Sequence, residues 1–268
     1  MHIKVPRYAF IGGLVATFLF SLTSLNDAKI MGKSVTYSDK GFPLEGFLAY
    51  DDSLDDVRPG ILIFPQSMGI SRYERKRAEQ LARLGYGVLV ADVYGRGANP
   101  SNAAKASSMV KAFKSDRSLM RRRAQLALAT LNRQKWTDTH LIGAIGYGFG
   151  GTTALELARS GAEIKGVISF YGDLDSPIPQ DAKNIKSAIL IIHGAEDTTV
   201  SWGQLEIFRH EMQHSICDWQ VSVYGNSGHA FTEPPSKDRL GASGATYNRL
   251  TDGRSFRDMQ RFFKEVLE

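Results

Sequence analysis

The chain has 268 residues, 43% of them hydrophobic and 23% charged, with a formal net charge of +5. That is enough apolar material for one large core, and it excludes a disordered or collagen-like chain. The single cysteine, Cys217, excludes an internal disulfide and a cysteine-based zinc site, and no nucleic-acid motif accompanies the scattered basic residues.

The chain begins with a basic stretch holding His2, Lys4 and Arg7, and Tyr8–Leu25 then runs without a charge. This fits an export signal or a short membrane anchor over residues 1–28, with 8–25 as its apolar part. The protein is therefore expected outside the cytoplasm, periplasmic or secreted, touching a membrane only through that segment. A single domain is expected over residues 34–268.

Ser34–Tyr50 alternates around Lys40-Gly41 and reads as a hairpin. Gly60–Pro65 is a continuous apolar run, the mark of a buried strand. Ser71–Leu84 has helical spacing, with Ser71 as N-cap and Glu74 completing a capping box. Tyr86–Val93 is the next buried strand. Ala103–Arg133 reads as a long polar helical region, and its Arg121-Arg122-Arg123 triplet as a solvated face. Further strands are expected at Leu141–Ile145, Ile164–Tyr171, Ala188–His193 and Trp219–Tyr224. Helices are expected at Thr152–Arg159, Trp202–Gln213 and Ser255–Leu267. Leu240–Gly253 is a Gly-rich loop long enough for a lid or rim. Strands alternating with helices predict an α/β fold, a mostly parallel central sheet with helices on both faces.

The chemistry concentrates in Gly146-Tyr147-Gly148-Phe149-Gly150-Gly151, between the strand Leu141–Ile145 and the helix Thr152–Arg159. A strand entering a helix through so tight a glycine turn is the setting of a nucleophile elbow, G-x-Nuc-x-G. The same glycines match G-x-G-x-x-G, a dinucleotide fingerprint, but that unit would be expected to open the domain. Two later signals favour the elbow. His193-Gly194-Ala195-Glu196-Asp197 follows one strand and Gly228-His229-Ala230-Phe231 follows another. The order elbow, acid, histidine is that of α/β-hydrolases, in which the histidine takes a proton and the acid fixes its tautomer. Asp197 is the candidate acid and His229 the candidate base.

These stretches, with Gly60–Gly69, Lys76–Gly97, Leu119–Thr130 and Asp181–Asp197, resemble the dienelactone hydrolase family. The resemblance implies an α/β-hydrolase fold and hydrolysis of small esters or lactones by a Cys-His-Asp triad, with no cofactor. It puts the nucleophile position at Gly148, the acid at Asp197 and the base at His229. It assigns the oxyanion donors to the backbone N–H groups of Ser67 and Phe149, and the pocket to Gln66, Tyr147, Arg96 and Phe231. At Gly148 the family has cysteine, and at Gln66 it usually has a glutamate that helps activate the thiol. Glu233 falls near an arginine that holds a carboxylate substrate in dienelactone hydrolases proper.

Two functions are compatible with this pattern. One is ester or lactone hydrolysis with a substitute nucleophile, a water activated by His229. The other is a degenerate homologue that binds a ligand without turning it over. No metal is expected: His210 and His214 share a helix face but lack a third ligand. Asp173 and Asp175 read as turn residues, His193 as structural, and Cys217 as half-buried packing.

Overall fold

The computed structural model describes residues 28–235 and 247–268. The apolar segment 8–25 and residues 240–246 of the Gly-rich loop lie outside them. Eight strands form one sheet: β1 (Ile30–Asp39), β2 (Phe42–Asp51), β3 (Arg58–Phe64), β4 (Gly87–Val90), β5 (Thr137–Tyr147), β6 (Gly166–Phe170), β7 (Ala188–Gly194) and β8 (Trp219–Tyr224). Their order is β1-β2-β4-β3-β5-β6-β7-β8. Among the described strands the β1–β2 and β2–β4 pairs are antiparallel and every other pair is parallel. The mostly parallel α/β sheet expected from the strand–helix alternation is the one observed.

Among the described residues six α-helices flank the sheet: α1 (Arg72–Ala82), α2 (Ala103–Ser115), α3 (Arg117–Asn132), α4 (Phe149–Arg159), α5 (Trp202–Met212) and α6 (Arg249–Leu267). Successive strand residues point to opposite faces, which divides the core in two. Ile61, Ile63, Val88, Ile145 and Ile168 pack with Ala78 and Leu81 of α1 and Met259 and Phe263 of α6. Leu62, Leu89, Ala144 and Val167 pack on the other face with Met120 and Ala124 of α3 and Leu155 of α4. Phe263 is fully buried, and truncating it to Ala would cost about 3–5 kcal/mol.

Ser71 caps α1 with the expected capping box. The helical region 103–133 is instead two helices. Asp116 ends α2 and caps α3, its side chain accepting the Leu119 N–H at 2.9 Å. The arginine triplet is not a solvated face either. Arg121 bonds Glu156 and Asp181, while Arg122 and Arg123 both bond Asp39 of β1, so the triplet clamps α3 to three other elements. Helix α6 begins at Arg249, capped by Asn248, and so takes in the end of the expected Gly-rich loop.

Candidate active site

Strand β5 ends at Tyr147 and α4 begins at Phe149, leaving Gly148 alone as the connection. A Cβ on Gly146 would lie 1.9 Å from the Gly150 carbonyl oxygen, so only glycine lets strand and helix come this close. Gly148 has φ 52° and ψ −118°, a region that L-residues with side chains occupy only under strain. Its N–H donates to the Phe170 carbonyl at 2.9 Å, which fixes the turn to the end of β6. Phe149, as the first residue of α4, has an N–H with no acceptor inside the helix.

A side chain at Gly148 would face Gln66. A Cβ there would meet Gln66 Oε1 at 3.4 Å, an ordinary contact. Gln66 follows β3 and is 7% exposed, and its Nε2 is buried without a hydrogen-bond partner. Behind it lies Glu74 of α1, fully buried, whose Oε1 accepts the Gln66 N–H at 3.4 Å and whose Oε2 accepts from Ser71. The Ser67 carbonyl receives the Tyr94 hydroxyl at 3.1 Å. Tyr94 in turn stacks on Phe149, with ring centroids 5.5 Å apart, and ties the two expected oxyanion loops together.

Asp197 and His229 meet at the same edge of the sheet. His229 Nδ1 and Asp197 Oδ2 are 2.9 Å apart. Asp197 Oδ1 accepts the N–H groups of Thr199 and Val200, at 2.8 and 2.9 Å. Burial pushes this carboxyl up. The hydrogen bond and charge of His229, with the two amides, more than offset that and hold it below the usual carboxylate range. With Nδ1 engaged, His229 Nε2 is the nitrogen that can take a proton. Burial lowers His193, near the end of β7, against the pull of Asp197.

His229 is also braced from below. The Tyr171 ring meets it edge-on at 5.3 Å. The hydroxyls of Tyr171 and Tyr73 both bond Thr232 Oγ1 at 2.6 Å. Arg77 donates to the Tyr73 hydroxyl at 3.2 Å and pairs with Asp252 of α6. Burial pushes both phenols up, so they stay protonated. Tyr171 has a φ of 41°, rare for a residue with a side chain, and the hydroxyl network holds it there.

The remaining expected pocket residues lie elsewhere in the structure. Tyr147 is 1% exposed and stacked on Phe170, and Phe231 is fully buried against Tyr171 and Tyr224. Both form the layer under the site. Arg96 lies on the surface, paired with Glu45 at 3.0 Å. Asp173 and Asp175 bind Lys114 at 2.9 and 3.1 Å. Among the described residues no group of three His, Cys, Asp or Glu side chains could hold a metal ion.

The dienelactone hydrolase family profile matches residues 44–267. A solved structure named m3DLH is 36% identical with a TM-score of 0.85, over 89% of this chain and 99% of its own. A dienelactone hydrolase-like promiscuous phosphotriesterase, P91, from metagenomic libraries is 34% identical with a TM-score of 0.84, over 90% of this chain and 100% of its own. A protein of Bradyrhizobium sp named as a probable 2-oxo-3-(5-oxofuran-2-ylidene)propanoate lactonase is 28% identical over 65% of this chain and 74% of its own.

Proposed function

The chain belongs to the dienelactone hydrolase family, and from that membership we propose that it hydrolyses small esters or lactones without a covalent acyl-enzyme. His229, backed by Asp197, takes a proton from a water standing where the side chain of residue 148 would project. That water attacks the carbonyl carbon, and the N–H groups of Phe149 and Ser67 receive the developing oxyanion. The alkoxide leaves with the proton from His229.

The observation that carries this reading is the 2.9 Å pair of His229 and Asp197, with both Asp197 oxygens engaged, beside a turn that holds no attacking side chain. Sites stripped of their nucleophile keep roughly 10³–10⁴-fold over the uncatalysed reaction through binding and oxyanion stabilisation. Slow turnover is therefore the expected behaviour. The names of the relatives guide the substrate panel: p-nitrophenyl esters, unsaturated lactones and a p-nitrophenyl phosphotriester. Turnover should fall to background in His229→Ala, with no acyl adduct in the mass spectrum of the intact protein. Equal rates in wild type and His229→Ala would overturn the proposal.

A second reading is favoured by Gln66, whose neutral amide cannot take a proton. In it, the pocket binds a lactone and releases it unchanged. Calorimetric binding with no turnover in wild type would decide for it.

A further inference from the structure

We infer that the open space over Gly148 is a binding site for a small exogenous thiol, which His229 activates for acyl transfer from an ester. This rests on the ester-hydrolase reading above and adds a second substrate to it.

The space accepts a carbon-sized group. The nearest atoms a Cβ would meet there are Gln66 Oε1, Cδ and Cγ at 3.4, 3.8 and 3.9 Å, so nothing has to move. Its wall is polar and only partly used. Gln66 is 7% exposed, with Oε1 toward Gly148 and Nε2 buried without a partner. A buried amide left without a partner is destabilising. Turning the amide about its terminal torsion presents the NH₂ group to an acceptor in the space. The floor is the N-terminus of α4, eleven residues long, whose free N–H groups favour an anion. Gly148 is hydrogen-bonded to Phe170, and the next residue, Tyr171, packs on His229. The nearby carboxylates are engaged, Asp197 with His229 and Glu74 with Ser71.

A neutral acid that leaves a compact anion fits these walls, and acidity selects a thiol. A thiol gives up its proton to an imidazole far more readily than water does. In the reaction, the S–H proton moves to His229 Nε2 as sulfur bonds to the ester carbonyl carbon. The tetrahedral oxyanion faces the N–H groups of Phe149 and Ser67. It collapses with cleavage of the C–O bond, and the alkoxide takes the proton back from His229. The products are a thioester and an alcohol, with no net change in protons or electrons.

The test is p-nitrophenyl acetate turnover by wild type with increasing ethanethiol, with the bulky tert-butyl thiol as control. Ethanethiol should accelerate release saturably, to about 100-fold over the same mixture with His229→Ala, the low end for a positioned general base. S-ethyl thioacetate should accumulate, and the bulky thiol should have no effect. Gly148→Ala, which fills the space, should remove the thiol response. A response linear in thiol and equal in His229→Ala overturns the inference. If Gly148→Cys cleaves the ester while wild type with ethanethiol does not, this inference alone fails. If neither cleaves it, the ester-hydrolase reading fails with it.

Discussion

Substitution at Gly148 tests the backbone and the chemistry together. Its φ of 52° and ψ of −118° lie outside the comfortable regions for a residue with a Cβ, and occupying them costs about 1–3 kcal/mol. Contacts add little, since the closest atom to a new Cβ is Gln66 Oε1 at 3.4 Å. In a chain of this size each kcal/mol lowers Tm by about 2–4 °C, so Gly148→Ala is expected to melt about 2–12 °C below wild type. Gly148→Cys should fall in the same window, because the torsion is the cause in both. On the reading above, the Cys variant should also show a burst of p-nitrophenol and an acetyl adduct, and wild type neither. Scanning calorimetry and stopped-flow kinetics read the two effects separately. An Ala variant that melts at or above wild type would refute the strain reasoning. A loss beyond about 15 °C would show that packing, not torsion, sets the cost.

Thr232→Val removes the shared partner of two buried phenols and should cost about 1–3 kcal/mol. Its low-field His229 Nδ1–H resonance should also broaden, and an unchanged line would show that the network does not reach His229. Asp197→Asn keeps acceptors for Thr199 and Val200 but offers Nδ1 a donor, so the imidazole adopts the wrong tautomer. Turnover should drop about 10³–10⁴-fold, and ¹⁵N shifts of the ring report the tautomer directly. Arg159 is 1% exposed between Glu156 and Glu211, and Arg159→Met should lose about 3–5 kcal/mol in urea unfolding by leaving buried carboxylates unpaired. Hydrogen bonds from Arg122, with Arg123, hold Asp39 below the ordinary carboxylate range against its burial; burial pushes Asp175 up, but Lys114 and its neighbours hold it low. A depressed carboxylate contributes stability that is present above its unfolded value, about 3.9, and lost as pH falls through the lower folded value. Tm should therefore hold from neutrality to about pH 4 and fall below it, and a steep decline already between about pH 6 and 5 would contradict this.

What the sequence displays depends on how local the cause is. The strand Trp219–Tyr224 and the Ser71 capping box could be read because a few adjacent residues determine each. The break at Asp116 was legible in principle, since aspartate is a strong N-cap, but the polar periodicity continues through it. The arginine triplet was misread because its partners, Asp39, Glu156 and Asp181, lie on other elements. The network under His229 is the least local feature. Tyr73 and Thr232 are separated by 159 positions, and Tyr171 and Thr232 by 61. No spacing rule links hydroxyls so far apart. Gly253 suggested a loop, yet the Asn248 cap and the apolar face of α6 outweigh the roughly 0.5–1 kcal/mol that a helical glycine costs.

Gln66 and Gly148 make more sense as a pair than separately. A carboxylate in place of Gln66 would add a second acid to the layer that holds Glu74, itself fully buried, whose Oε1 accepts the Gln66 backbone N–H at 3.4 Å. Two carboxylates in one buried layer repel, and one must hold a proton or find a cation. Arg77, also on α1, is already engaged by Asp252 and Thr232. A titrating nucleophile at position 148 would give that second carboxylate a proton to exchange. Glycine gives it none, so a neutral amide fills the layer at lower electrostatic cost. His229 and Asp197 carry no such mutual dependence on residue 148. Their hydrogen bonds are made among β7, the loop after it and the loop after β8, and they remain complete. The pair proposed to move a proton is thus built independently of the position that would form a covalent bond. A chain can lose the second and still hold the first in working geometry, ready for a nucleophile that arrives from solution.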